Sequence, residues 1–315
     1  MTDSKETPVQ FGPDGSLIGI VTTPGEGPVE PVGCLLLNMG ATHRIGPRRI
    51  NVKLARRLAT LGISTLRMDL AGLGDSRAAS GSEHFRTQAV MDMQGAMNLM
   101  GTLHGVRQFV VIGLCSGAAN GLALAAADAR VIGVLMFDGY AFPGRRALWE
   151  RTFRRALAAA TNPAMIQKTA RWLHRQVSAK AAAALSTDMF EPDTPAVMAA
   201  NFRRAMIQTV ERNVAMLFLY SGTMHVTDRN RDQLGPFVNE PFAKHIEYVF
   251  DPALDHNLTS LASQETFLGI ASDWVLRVAH HEAPQNPYSA AARRPDGLGS
   301  SAFHGTLALE RDAVA

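Results

Sequence analysis

The stretch Phe109-Val-Val-Ile-Gly-Leu-Cys-Ser-Gly-Ala-Ala119 carries an apolar, β-branched run into a turn of small residues and on into the alanine-rich segment 117–127. Its first half is too uniformly apolar to have one wet face, which predicts a buried strand; its second half predicts a helix. A nucleophile carried on the sharp turn between such a strand and helix needs small residues two before and two after it, because neighbouring backbone passes there. Gly113 and Gly117 meet that need around Cys115. Centred on Ser116, the flanking residues become Leu114 and Ala118, and Leu114 is too bulky. The register selects Cys115. The following helix would direct its first N–H groups and partial positive charge at that thiol, favouring a thiolate. The plainer alternative is a small thiol packed at a helix start.

Outward from this turn, strands and helices alternate. Segments 32–38, 63–70, 108–113 and 131–137 are predicted strands, and 48–60, 85–103 and 117–127 predicted helices. Alternation of this kind implies βαβ units, right-handed crossovers and a mostly parallel sheet covered by helices on both faces. Met93, Met97 and Met100 recur at helical spacing as core, since a methionine stripe of this type packs far more often than it binds. Upstream, residues 1–10 are expected to be a loose tail, with a hairpin over 9–21. Residues 141–210, rich in Ala and Arg and without a convincing strand, break the rhythm. It resumes with strands at 215–220 and 245–250 and helices at 233–242 and 261–280. The expected organisation is an α/β core over 1–140 and 211–281, a helical cap insertion over 141–210, and a mobile tail over 282–315.

Composition restricts the function classes. The chain has 315 residues, 46% hydrophobic and 19% charged, with a formal net charge of +3. A core of this size needs no disulfide or metal, and so small a net charge does not argue for nucleic acid. The two cysteines, Cys34 and Cys115, sit in apolar stretches and fit free thiols in a reducing compartment. The N-terminus lacks the pattern of a signal peptide, and no run approaches the about 20 apolar residues of a membrane span, so a cytoplasmic location is expected. No His/Cys cluster has metal-ligand spacing, and Gly72-Leu-Gly74 lacks the third glycine of a dinucleotide fingerprint. No cofactor is expected.

A thiol nucleophile needs a base in hydrogen-bond reach and a third group to orient that base. Of the ten histidines, His256 alone lies in a loop after the last strand and before the last helix, and it follows the elbow in chain order.

Over roughly residues 15–280 the chain resembles the α/β-hydrolase superfamily, on Leu35-Leu-Leu-Asn-Met-Gly40, Arg67-Met-Asp-Leu-Ala-Gly-Leu-Gly-Asp-Ser76, the elbow and Asp255-His256. It is also similar to bacterial hydrolase-like sequences carrying His-Arg-Ile-Gly-Pro (43–47), Gly-Leu-Cys-Ser-Gly-Ala (113–118) and Asp-Gly-Tyr-Ala (138–141). The resemblance implies an α/β-hydrolase fold with a cap. It places the acid after strand 215–220 in a Gly-x-x-Asp pattern, but counting from Gly222 reaches His225, with Asp228 three residues on. The family's other acid position, the end of the preceding strand, holds Asp138. A carboxylate ending an apolar strand needs a partner, so Asp138 is preferred, with Asp228 as the alternative acid. Asp255 adjoins His256, where side chains rarely face each other. The implied oxyanion donors are the N–H groups of Ser116 and of Ala41 or Gly40, in the loop opened by Met39. His43 and Arg44 would contact a polar or anionic substrate group, or else belong to a solvated loop.

The insertion concentrates Arg145, Arg146, Arg151, Arg154, Arg155, Lys168, Arg171, Arg175 and Lys180 around apolar residues at helical spacing. These charges form a solvated face, or dock an acidic carrier protein or a coenzyme A thioester. Cysteine at this elbow is familiar from dienelactone-hydrolase-like and polyhydroxyalkanoate-synthase-like enzymes. The expected function is an acyl hydrolase of the esterase or thioesterase class, acting on a small-molecule acyl ester or thioester through an acyl-cysteine. The alternatives are an acyltransferase using the same site and a non-catalytic binding protein with a degenerate triad.

Overall fold

In the computed structural model, residues 4–25, 29–81, 83–144, 149–150, 152–153, 194–223, 228 and 230–281 are described, all within one unit, 1–284. The chain opens with β1 (Lys5–Phe11) and β2 (Leu17–Thr23), paired antiparallel as a hairpin. The loose tail expected over 1–10 is therefore corrected: Lys5 to Gln10 are zipped to β2, because β2 offers a complete row of backbone partners. There follow β3 (Val32–Leu36), α1 (Ile50–Thr60), β4 (Ser64–Met68), α2 (Phe85–His104), β5 (Gln108–Leu114), α3 (Ser116–Ala127), β6 (Val131–Phe137), α4 (Pro195–Glu211), β7 (Ala215–Ser221), β8 (Ile246–Asp251) and α5 (Leu261–Ala279).

These strands form one eight-stranded sheet in the order β1-β2-β4-β3-β5-β6-β7-β8. β2 meets β4 antiparallel, and every pairing from β4 to β8 is parallel. Side-chain alternation assigns each strand residue to one of two cores. Leu35, Leu37, Val111, Val134 and Met136 join α2, α3 and α4 on one face. Cys34, Leu36, Val110, Ile112, Leu135 and Phe137 join α1 and α5 on the other. With both faces covered, the inner strands must be apolar throughout, which is why their sequence shows no alternation. Met93, Met97 and Met100 of α2 are fully buried, as core.

Two segments differ from expectation. Residues 233–242 form not one helix but two 3-10 stretches, Asp232–Asn239 and Pro241–His245; Gly235 takes φ 51 and Pro236 removes a donor, so a regular helix cannot run through. Pro195–Glu211, counted by composition with the insertion, packs as α4 on α3 and buries Phe202, Met206 and Thr209. Residues 145–148, 151 and 154–193 of the expected cap, among them the named arginines and lysines, and the tail from residue 282 lie outside the described residues. Among the described residues no helix is long and apolar enough to cross a membrane.

Candidate active site

β5 delivers Cys115 at the crest of the sheet. Its backbone takes φ 53 and ψ −118, strained for a residue with a Cβ, and its N–H donates to Phe137 O at 2.8 Å. The flanking glycines are required sterically. A Cβ on Gly113 would lie 2.3 Å from the carbonyl carbon and oxygen of Gly117, and one on Gly117 would lie 2.5 Å from Asn38 O. The register inferred from small residues is thus a packing fact. Cys34, by contrast, is fully buried in the α1/α5 core, where burial pushes its thiol up and keeps it protonated.

β6 ends at Asp138, whose φ of 48 turns its side chain inward, where it is fully buried. Its N–H donates to Leu219 O at 2.9 Å. The loop after β8 brings His256, and Nδ1 of its ring lies 2.9 Å from Asp138 Oδ2. The same imidazole acts on Cys115, and the two groups shift each other's titration. Cys115, His256 and Asp138 thus gather at one site, with acid and base brought together across 118 residues of chain. The hydrogen bond to Asp138, then that to Cys115, lift the His256 imidazolium to about 10. The hydrogen bond with His256 is also the main cause holding the Cys115 thiol below its ordinary value, with the Ser116 N–H on the sulphur adding to it. Both directions favour a thiolate beside an imidazolium.

The alternative acid is engaged elsewhere. Asp228 accepts the hydroxyl of Tyr248 and the N–H of Asp232, and burial raises its pKa. Asp255 accepts the N–H groups of Asn257 and Thr259 and the Thr259 hydroxyl, so it shapes the turn that carries His256. His225 lies outside the described residues.

Sequence reasoning missed Ser221 and Thr223. Ser221, fully buried at the end of β7, donates its N–H to Asp138 Oδ1 at 2.7 Å and its hydroxyl to Oδ2 at 2.6 Å. Its Oγ also lies 2.9 Å from Thr223 Oγ1, which accepts the His256 N–H at 2.8 Å. Acid and base are therefore fixed to each other by side chains as well as by backbone. The available signal was a lone hydroxyl ending an apolar strand beside the strand that ends in Asp138.

The loop after β3 holds the expected oxyanion donors. Gly40 and Ala41 are exposed, Gly40 with φ 58, and the Gly40 N–H donates to Ser116 Oγ at 2.8 Å. Met39 O accepts the Thr42 N–H at 3.1 Å, closing the loop as a turn. His43 and Arg44 belong to a network centred on fully buried Asp69. That carboxylate accepts the Arg44 N–H at 2.6 Å, the Asn38 amide at 2.9 Å and the Asp75 N–H at 3.1 Å, and is ion-paired to the Arg44 guanidinium. Arg44 Nη1 also meets Asp75 Oδ2 at 2.8 Å, and His43 Nε2 lies 3.0 Å from the same oxygen. His43, Asp69 and Asp75 bring potential metal-ligand atoms within 4.8 Å of one another, but the Arg44 guanidinium is already the cation among them. Arg44 holds this loop in place; its charge is matched by two carboxylates.

No protein-family model and no curated protein matches the chain. Solved structures do. An α/β-hydrolase-type protein of unknown function from Agrobacterium tumefaciens superposes with TM-score 0.52 at 14% identity, over 89% of this chain and 100% of that one. An α/β serine hydrolase homologue from Coxiella burnetii gives 0.52 at 15%, over 90% and 99%. This chain has the α/β-hydrolase fold. A serine hydrolase without lid from Xanthomonas campestris shares it, with TM-score 0.52 at 16% identity over 88% and 95%. Two of these three are described as serine hydrolases, whereas the elbow of this α/β-hydrolase-fold chain carries Cys115.

Proposed function

We propose that this protein is an acyl hydrolase of the ester or thioester class, working through Cys115 as nucleophile, His256 as base and acid, and Asp138 as the group that orients His256. The observation that carries it is the row from Asp138 Oδ2 through His256, at 2.9 Å, to a Cys115 held at φ 53 on the elbow. The thiolate attacks the acyl carbonyl, and the oxygen takes up negative charge against the Ser116 N–H at the start of α3. Collapse expels the alcohol or thiol, which takes its proton from the His256 imidazolium. Neutral His256 then takes a proton from water as water attacks the acyl-cysteine, and returns it to the departing Cys115 sulphur. Asp138, held by Ser221, keeps the Nδ1–H tautomer that leaves the other ring nitrogen facing Cys115.

The test is a panel of simple acyl esters, acyl thioesters and coenzyme A thioesters, assayed with intact-protein mass spectrometry. Wild type should show an acyl adduct on Cys115 and turnover. Cys115→Ala should show neither, and His256→Ala should lose on the order of 10²–10⁴-fold in rate. Full activity in Cys115→Ala would end the proposal. Release of the acyl group only to an added alcohol or amine, never to water, would make the protein an acyltransferase.

A further inference from the structure

Two features of the elbow make Ser116 more than a spacer beside the nucleophile. Its backbone N–H is the first of α3, next along the chain from Cys115. Its hydroxyl accepts the Gly40 N–H at 2.8 Å. A substrate oxygen held by the Gly40 N–H would have to lie at hydrogen-bond distance along that same N–H, and Ser116 Oγ already occupies that point. A hydroxyl that accepts one hydrogen bond keeps its own proton to donate, and a donor that is itself hydrogen-bonded is polarised in the same sense. Ser116 is exposed, so its hydroxyl is free to turn this proton toward a bound ligand. The surroundings leave room for a ligand, since nothing lies within 4 Å of where a Cβ on Gly40 would stand.

We infer that the Ser116 hydroxyl, anchored by the Gly40 N–H, is a side-chain member of the oxyanion hole, so that one residue presents both a backbone and a hydroxyl donor to the oxygen of the attacked carbonyl. Gly40 then acts through Ser116 and does not touch the substrate. The inference rests on the acyl chemistry proposed above and concerns a different residue and a different step.

The experiment compares two reactions of Cys115 in wild type, Ser116→Ala and Ser116→Thr. One is acylation by an activated ester, followed as mass gained on Cys115, in which an oxyanion forms. The other is alkylation by iodoacetamide, a displacement at saturated carbon in which none forms. Loss of one oxyanion donor should slow acylation of Ser116→Ala about 10²–10³-fold while alkylation proceeds at the wild-type rate. Ser116→Thr, which keeps the hydroxyl, should recover most of the acylation rate. Acylation of Ser116→Ala as fast as wild type would show the hydroxyl to be idle, and faster acylation would show it to be an obstruction. A parallel fall in both reactions would mean a distorted elbow. Each of these three results overturns the inference. Wild type that alkylates normally but forms no acyl adduct is a separate failure, of the acyl chemistry itself.

Discussion

At the residue scale, Asp138 and Cys115 both act on His256, and both raise its pKa. The thiolate–imidazolium pair is assembled above the pKa of Cys115, which lies below the ordinary thiol value, and persists until the imidazolium titrates near 10. Acyl transfer should therefore rise at the thiolate limb and fall again toward pH 10, where His256 loses the proton that the leaving group needs; the two limbs belong to the coupled pair. Asp138→Asn removes the largest cause of the raised histidine pKa, so the alkaline limb of kcat should move to lower pH. Asp228→Asn should leave that limb in place, because Asp228 is bonded to Tyr248 and Asp232. A pH–rate series on both variants checks this, and an unmoved limb in Asp138→Asn would exclude Asp138 as the orienting acid. Ser221→Ala leaves a buried carboxylate oxygen one donor short. It should cost about 1–3 kcal/mol in urea unfolding and lower kcat more than it changes KM, while Ser221→Thr should stay close to wild type.

At the scale of elements, the site is the meeting of the loops after β3, β5, β6, β7 and β8 at the C-terminal edge of the sheet, and close backbone approach decides their shape. The loop after β7 is joined to the loop after β8 by the Gly222 N–H on Leu254 O at 3.0 Å. A Cβ on Gly222 would lie 2.5 Å from Pro252 O. The strand–helix elbow is tighter still. Gly113→Ala places a methyl group 2.3 Å from Gly117 backbone and should destabilise by about 1–3 kcal/mol or more, as overpacking does. The iodoacetamide reactivity of Cys115 should fall with it; an unchanged urea midpoint together with normal alkylation would contradict this account of the elbow. The loop after β3 depends on Asp69, which joins it to the loop after β4 through Asn38 and Arg44. Asp69→Ala leaves the Arg44 guanidinium with Asp75 alone and takes the acceptor from the Asn38 amide and from the Arg44 and Asp75 N–H groups, and should cost about 1–3 kcal/mol. Loss of activity in that variant should precede global unfolding in a urea titration, because the loop carries Gly40.

At the scale of the molecule, the parallel order of β4 through β8 carries every βα loop to one edge, and binding residues gather there in such sheets. The sheet lies between two cores. Trp274 of α5, 1% exposed, closes the α1 side and donates its indole N–H to Glu247 at 3.1 Å. Trp274→Ala should cost about 3–5 kcal/mol by the cavity it opens, read from the denaturation midpoint. Its distance in the fold from the elbow makes it a stability variant: kcat per folded molecule should stay at the wild-type level, and a specific loss would refute that separation.

The chain by itself determined the periodicities, the apolar inner strands, the glycine register around Cys115 and the order in which nucleophile and histidine occur, because these are local: sterics of a turn, burial of a strand, 3.6- and 2-residue patterns. Lys5–Pro8 was not legible as the start of the hairpin strand, since an edge strand with one wet face carries little apolar signal until β2 is there to pair with it. α4 was hidden for a similar reason, its alanine-rich sequence blending with the insertion until α3 offered a surface to bury Phe202. Tertiary structure alone shows that Asp138 is the carboxylate that reaches His256 Nδ1 while Asp228 meets Tyr248, and it alone places Ser221 beside Asp138 and the Ser116 hydroxyl beside Gly40. Hydroxyl groups acquire a direction only when a donor and an acceptor from distant segments are brought within 3 Å of them, and no spacing along the chain records that.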